Sequence, residues 1–155
     1  MKLVIYNFFI LILIPVFVLR IFVKSFADPD YTKLFLNRFG YNFSEFKQSN
    51  KKNIWFHAVS LGEVIGSQML INKLAEHFDI VITTSTPTGL RRAKELFSED
   101  IVINYAPWDF VFFINRFLNF YKPDAILIFE TEIWPSIISQ ASKKKYPSLF
   151  SERQT

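Results

Sequence analysis

Glu63 closes the segment His57-Ala-Val-Ser-Leu-Gly-Glu63, which follows the apolar run Ile54-Trp55-Phe56. The run reads as a buried strand, Ser60 to Gly62 breaks it, and a helical pattern starts at Glu63. A carboxylate would then sit in a helix's first turn, on the edge where open parallel sheets bind ligands. The helix dipole favours the ionised acid there by about 0.3–1 kcal/mol when exposed. An ionised carboxylate in a cleft has what a general base requires. It also fits a plainer description, because acids are common in the first turns of helices. A second acid, Glu130, directly follows Ile126-Leu127-Ile128-Phe129, a run expected to be a buried strand. Acids are seldom fully buried without a partner. Two carboxylates facing one cleft can divide roles by environment. Glu132, two residues on, reads as solvated.

Two further turns carry polar groups. Thr83-Thr-Ser-Thr-Pro-Thr-Gly89 is a run of hydroxyls opening a helix. Thr86, Pro87 and Thr88 fit a helix cap. With Arg91 or Arg92 one turn later, the same hydroxyls and free backbone N–H groups could hold a phosphate; the two arginines also fit ordinary surface charges. Tyr105-Ala-Pro-Trp-Asp109 places an acid where a helix cap is expected. Trp108 and Trp134 are large enough to line a pocket and equally suit a core, and His57 reads as a hydrogen-bonded core residue.

The elements that must position these residues repeat one unit. Strands are expected over 54–58, 79–84, 101–105 and 124–129, and helices over 63–77, 88–97, 109–121 and 133–144. The first helix carries Val64, Ile65, Met69, Leu70 and Leu74 at helical spacing, with Lys73 and Glu76 on its wet face. Short apolar runs alternating with such helices predict an α/β, Rossmann-like fold with a parallel sheet. All four turns then converge on one edge. No Gly-x-Gly-x-x-Gly or Walker loop follows the first strand, which argues against dinucleotide and P-loop nucleotide binding. Tyr146 to Phe150 starts a fifth strand five residues before the chain stops, so a truncated domain is expected.

Composition narrows the classes. The 155 residues suffice for one domain with a core. The chain has no cysteine and two histidines, so a disulfide framework is excluded and a zinc site disfavoured. Leu3 to Leu19 is almost wholly apolar, broken only by Asn7 and Pro15, and is followed by Arg20 and Lys24. Val18 to Phe22 offers no small residues for signal cleavage. A hydrophobic membrane anchor, spanning or in plane, is therefore expected over 1–24, and the basic residues after it favour a cytoplasmic domain. Asp30 to Phe39 reads as a short helix closed by Gly40, suited to a membrane interface or to packing on the domain. Residues 25–52 form this basic helix and a linker, and 53–155 the α/β domain. The net charge of +4 is concentrated early. Without a recognisable nucleic-acid fold, a membrane surface explains that charge better than nucleic acid does.

Together these pieces resemble the N-terminal half of the 3-deoxy-D-manno-octulosonic acid (Kdo) transferase family. The resemblance rests on the bulky anchor, Trp55 to Glu63, Thr83 to Gly89, Pro107-Trp-Asp109, Asn115-Arg-Phe-Leu118 and Glu130-Thr-Glu-Ile-Trp-Pro135, in family order. It implies a GT-B glycosyltransferase that moves Kdo from CMP-Kdo to a lipid A precursor, lipid IVA, in lipopolysaccharide biosynthesis. It further implies inversion in one displacement, with no metal and no cofactor. Glu63 matches the family's general base, and Glu130 an acid assisting the transition state. The acceptor-binding group is expected at Ser60, Gly62, Thr86, Thr88, Arg91 and Arg92. The implied location is the inner membrane with the domain facing the cytoplasm, and the donor half would come from a separate C-terminal chain. Ser136 stands where the family usually has asparagine, and Ser151-Glu152-Arg153 arrives early. The alternatives are a non-catalytic membrane-bound domain that holds an anionic lipid, and an inactive remnant.

Overall fold

A computed structural model describes residues 2–45, 50–129 and 133–150, and for 148–150 the backbone alone. Glu130, Glu132 and Ser151 to Arg153 lie outside the described residues. The N-terminal apolar run forms α1 (Lys2–Ser25), continuous through Pro15. Two 3-10 turns follow, Pro29–Tyr31 and Phe35–Phe39. The α/β unit comprises β1 (Asn53–His57), α2 (Leu61–Gly66), α3 (Gln68–Ala75), β2 (Asp79–Thr84), α4 (Pro87–Leu96) and β3 (Val102–Tyr105). It continues through α5 (Val111–Tyr121), β4 (Ala125–Ile128), α6 (Pro135–Lys143) and β5 (Ser148–Phe150).

The sheet is parallel throughout, in the order β3-β2-β1-β4-β5. The chain winds outward from β1 on one side and then returns to the other. The order thus reverses between β1 and β4, where His57 pairs with Ile128. Alternate strand residues separate into two cores. Ile54, Phe56, Ile80, Ile82 and Ile103 pack with Val64, Ile71, Leu90 and Ala93 of α2, α3 and α4. Trp55, Val81, Val102, Ile126 and Ile128 pack with Ile114, Phe117, Leu118 and Ile137 of α5 and α6. Helices on both faces explain why the strands read as continuous apolar runs rather than alternating ones.

The first expected helix, 63–77, is two. It breaks at Ser67, which sits at φ −90° and ψ −4°, at the flat end of the right-handed region, and whose hydroxyl bonds back to Val64 O. The single helix expected over 30–39 is also divided, by Leu34 in the left-handed region at φ 52°. Gly40 closes the second turn at φ 77°, and a Cβ there would lie 2.9 Å from both Phe113 O and Arg116 Cβ. This segment packs on the domain: Asn37 and Arg38 are buried. Residues 41–44 are also stapled to α5. The Phe43 ring contacts Phe117 and Tyr121, and the Tyr121 hydroxyl donates to Ser44 O.

α1 lies lengthwise along the domain. Leu3, Tyr6, Asn7, Ile10, Ile14, Phe17, Val18, Ile21 and Ser25 are its half-buried or buried residues, a stripe at spacings of three and four. Most other positions are exposed. Two polar residues within the apolar helix make specific bonds. The Tyr6 hydroxyl donates to Asp109 Oδ2 at 2.8 Å, and Asn7 Oδ1 accepts from Val111 N at 2.8 Å, capping α5.

Asp109 is a cap, but of a different helix from its own. α5 begins at Val111, and the Asp109 carboxylate accepts instead from Ser136 N and Ile137 N, both at 3.0 Å, at the start of α6. The hydroxyl of Ser136 donates back to Asp109 O. Burial pushes the Asp109 carboxyl above its usual range, and the three donors, Ser136 N, Tyr6 and Ile137 N, oppose that rise. Asp109→Asn keeps the side chain's size but turns an N–H toward one of these donors. The expected cost is about 1–3 kcal/mol, read as a lowered midpoint in thermal or urea unfolding. An unchanged midpoint would show that the three donors find other acceptors.

Candidate functional site

The turn after β1 is pinned to the end of β2. Ala58 N donates to Thr83 O, Ser85 N donates to Val59 O, and Thr84 Oγ1 also donates to Val59 O. Ser60 is the N-cap of α2, at φ −119° and ψ 167°. Its Oγ donates to Glu63 Oε1 at 2.5 Å and accepts a longer bond of 3.4 Å from Glu63 N. Glu63 Oε2 accepts from Val59 N at 2.6 Å. This is a capping box in which the acid reaches one residue beyond the cap. Glu63 is half-buried at the carboxyl end of β1, beside the reversal of strand order. Each of its oxygens accepts a short bond, and an ionised carboxylate offers about four acceptor positions. The cap therefore orients both carboxylate oxygens.

The turn after β2 abuts this one. Thr86 Oγ1 accepts from Gly89 N at 3.1 Å, capping α4, and Thr88 is exposed beside it. A Cβ on Gly89 would lie 2.4 Å from Thr84 Oγ1 and 3.4 Å from the carbonyl carbon of Ser60. The 2.4 Å approach to Thr84 Oγ1 is the one a side chain at this position would obstruct. Gly62 instead faces open space: the nearest neighbour of a Cβ there would be Ser60 Oγ, 4.0 Å away.

Ser60, Gly62, Glu63 and Thr86 are thus brought to one edge. Arg91 and Arg92 are turned to acids. Arg91 Nη1 lies 3.0 Å from Asp28 Oδ2 and 2.5 Å from Asp30 Oδ2, and Arg92 pairs with Glu95 at 3.0 Å. Lys33 and Arg91 hold the Asp30 carboxyl below its usual range. His57 is buried in the sheet, with Nδ1 2.8 Å from Thr83 Oγ1, which also accepts from Trp55 Nε1. Among the described residues, no cluster of three His, Asp or Glu side chains could hold a metal ion.

One cation was not singled out by the sequence. Arg38 is 4% exposed, its guanidinium stacked 4.0 Å over the Tyr105 ring, with Nη1 and Nη2 both 3.2 Å from Ser85 O. Burial lowers its affinity for the proton, and the adjacent Tyr105 and Tyr31 oppose that. The Tyr105 hydroxyl is pushed up to about 12, chiefly by its own burial. Arg38 lines a cavity of about 280 Å³ between the C-terminal half of α1 and the turns after β2 and β3. Arg20, Lys24, Thr86, Trp108 and Trp134 also line it. An arginine among Phe35, Leu36 and Phe39 was the available signal, but its neighbours suited a membrane interface equally well.

Compared with known proteins, residues 34–152 match the sequence model of the family described as 3-deoxy-D-manno-octulosonic-acid transferase (kdotransferase). The 3-deoxy-D-manno-octulosonic acid transferase of Haemophilus influenzae is 34% identical over 145 residues, covering 92% of this chain and 34% of that protein. A probable mitochondrial 3-deoxy-D-manno-octulosonic acid transferase of Arabidopsis thaliana is 39% identical over 92 residues, covering 57% of the chain and 21% of that protein. A bifunctional glycosyltransferase/methyltransferase of Fusobacterium nucleatum is 34% identical over 117 residues, covering 72% and 18%. The chain thus spans 34% or less of the length of these relatives. With the family match extending over the 3-10 segment, the parallel sheet and the Glu63 turn, the chain belongs to the Kdo transferase family.

Proposed function

We propose that this chain is the acceptor-binding part of a glycosyltransferase that moves Kdo from CMP-Kdo to a lipid A precursor, lipid IVA, in lipopolysaccharide biosynthesis. The observation that carries the reading is Glu63, oriented by Val59 N and Ser60 Oγ on the ligand-binding edge of the sheet. In this reading a Glu63 oxygen accepts the proton of the acceptor sugar hydroxyl as that oxygen attacks the anomeric carbon of Kdo. The bond from that carbon to the CMP phosphate breaks on the opposite face, and CMP departs with the electron pair. Transfer inverts the centre and needs neither metal nor cofactor. Glu130, after β4, is assigned to assisting the transition state, and the donor site to a C-terminal domain.

Glu63→Gln separates the two roles of this side chain. Glutamine is accepted at the third position of a capping box, so α2 keeps its cap and the unfolding midpoint holds. A glutamine cannot take the proton, so transfer should fall by about 10²–10⁴-fold. The assay follows transfer from CMP-Kdo to lipid IVA by the chain supplied with the remaining two thirds of the Haemophilus influenzae relative. Wild-type transfer that survives the substitution would reduce Glu63 to a capping acid.

The same reading places the protein at the cytoplasmic face of the inner membrane, with α1 in the membrane plane. α1 is long and apolar enough to cross, at 24 residues or about 36 Å. Its contacts argue otherwise. Tyr6 near one end and Ile21 near the other both meet the domain. An upright helix would draw Asp109 and the basic cavity into hydrocarbon, where unpaired polar groups are costly. An interfacial helix turns one side to water; here that side is turned to the domain. Because the chain has no cysteine, single labels at Ile5, Ile12 and Leu19, seven residues apart on the exposed face, report depth directly. Equal depths in vesicles are expected. Depths that change by about 1.5 Å per residue along α1 would mean that it spans.

A further inference from the structure

The cavity under α1 is positively charged, and its deepest cation lacks a counter-ion among the described residues. Arg38 is 4% exposed. A guanidinium carries five N–H donors. The protein acceptor of Nη1 and Nη2 is a single carbonyl, Ser85 O, and Nε is buried with no acceptor among the described residues. No described carboxylate forms an ion pair with it. A buried charge is tolerated when it is paired and strongly disfavoured when it is not. Arg38 is held by stacking on Tyr105, which supplies no negative charge.

The surroundings select the missing partner. Arg20 and Lys24 line the cavity from α1, so three cations and no acid are among the residues that line it. Ser85 and Thr86 contribute the N-terminal end of α4, a ten-residue helix capped by Thr86 Oγ1. A helix N-terminus attracts anions, and an arginine fork matches the oxygens of a phosphate or carboxylate. The cations first expected to do this, Arg91 and Arg92, are occupied by Asp28, Asp30 and Glu95. Trp108 and Trp134 complete the wall, and indoles favour the boundary between apolar and wet surroundings.

We infer that Arg38, with Arg20, Lys24 and the first turn of α4, binds a phosphate-class anion, a phosphomonoester, in this cavity. The inference deepens the acceptor-binding reading and rests on it for the expectation that the phosphate is lipid-borne. A water-borne phosphate presents the same chemistry, so the test includes both sources.

The measurement is a titration of the full chain in neutral maltoside micelles with inorganic phosphate and, separately, with dodecyl phosphate. Indole fluorescence and phosphorus NMR line widths report binding. Saturable binding is expected, and Arg38→Gln should weaken it by about tenfold or more. Arg91→Gln/Arg92→Gln should leave it unchanged. Tighter binding of dodecyl phosphate identifies a lipid headgroup as the ligand; equal affinities identify a water-borne phosphate, and either result upholds the site. Circular dichroism checks the fold. If Arg38→Gln does not fold, Arg20→Gln/Lys24→Gln at the cavity mouth must weaken binding several-fold. Absence of saturable binding by the wild type overturns the inference, as does an affinity unaltered in whichever of these variants folds. Glu63→Gln should bind as wild type does. Loss of transfer in that variant with no phosphate site would overturn this inference alone. A phosphate site beside transfer that ignores Glu63 would overturn the base assignment alone.

Discussion

The arrangement of this protein depends on the buried carboxylate of Asp109. It sits just before α5, yet its acceptors serve the first turn of α6 and the hydroxyl of Tyr6 in α1. One side chain thus joins an apolar helix at the N-terminus to a helix beginning more than a hundred residues later. Asn7 repeats the device at α5, supplying the acceptor for Val111 N. Each helix start has backbone donors that its own turns cannot satisfy, and here other elements satisfy them. A long apolar helix is thereby seated at a fixed place rather than attached by a tether.

That seating bears on the chemistry. Glu63 and the capped start of α4 lie at the carboxyl ends of β1 and β2, and Gly89 of α4 leaves room there for the Thr84 and Thr86 hydroxyls. α1 closes the cavity at the same edge, with its basic end toward Arg38. The capping bonds to Glu63 fix the direction in which its carboxylate points. A base that must accept a proton from one direction benefits from a fixed orientation, and a capping box supplies one on rigid elements. The plainer description of Glu63 as a helix-start acid is structurally correct, and it is compatible with the base that we propose.

Local patterning made much of the fold legible. The apolar runs at 54–58, 79–84 and 101–105, alternating with helical spacing, lead to a parallel sheet because both faces of each strand are covered. Pro87 after Thr86 marked the start of α4, and Gly40 marked the end of its segment, because caps are local chemistry. Partners distant in sequence were not legible. Asp109 has the composition of a cap for α5, and only the packed sheet brings α6 within its reach. Arg91 has the composition of a phosphate clamp, and only the folded chain sets Asp28 and Asp30 against it. Glu130, assigned beside Glu63 on the strength of its strand, lies outside the described residues.

The two fates of the arginines follow from one arrangement. Asp28 and Asp30 neutralise Arg91 on the outer side of α4, and Asp28 also caps the turn Pro29–Tyr31. This holds the segment after α1 against α4. Its second turn then carries Arg38 inward, where the backbone of Arg38 accepts from Trp108 N and its side chain reaches Ser85 O. The paired arginine positions the buried one. Charge on the outside of α4 is used for architecture, whereas Arg38, facing the cavity with Arg20 and Lys24, makes no ion pair with a described carboxylate. In a sheet that gathers its strand-end turns on one edge, that remaining positive charge is what leads us to propose an anion as the ligand there.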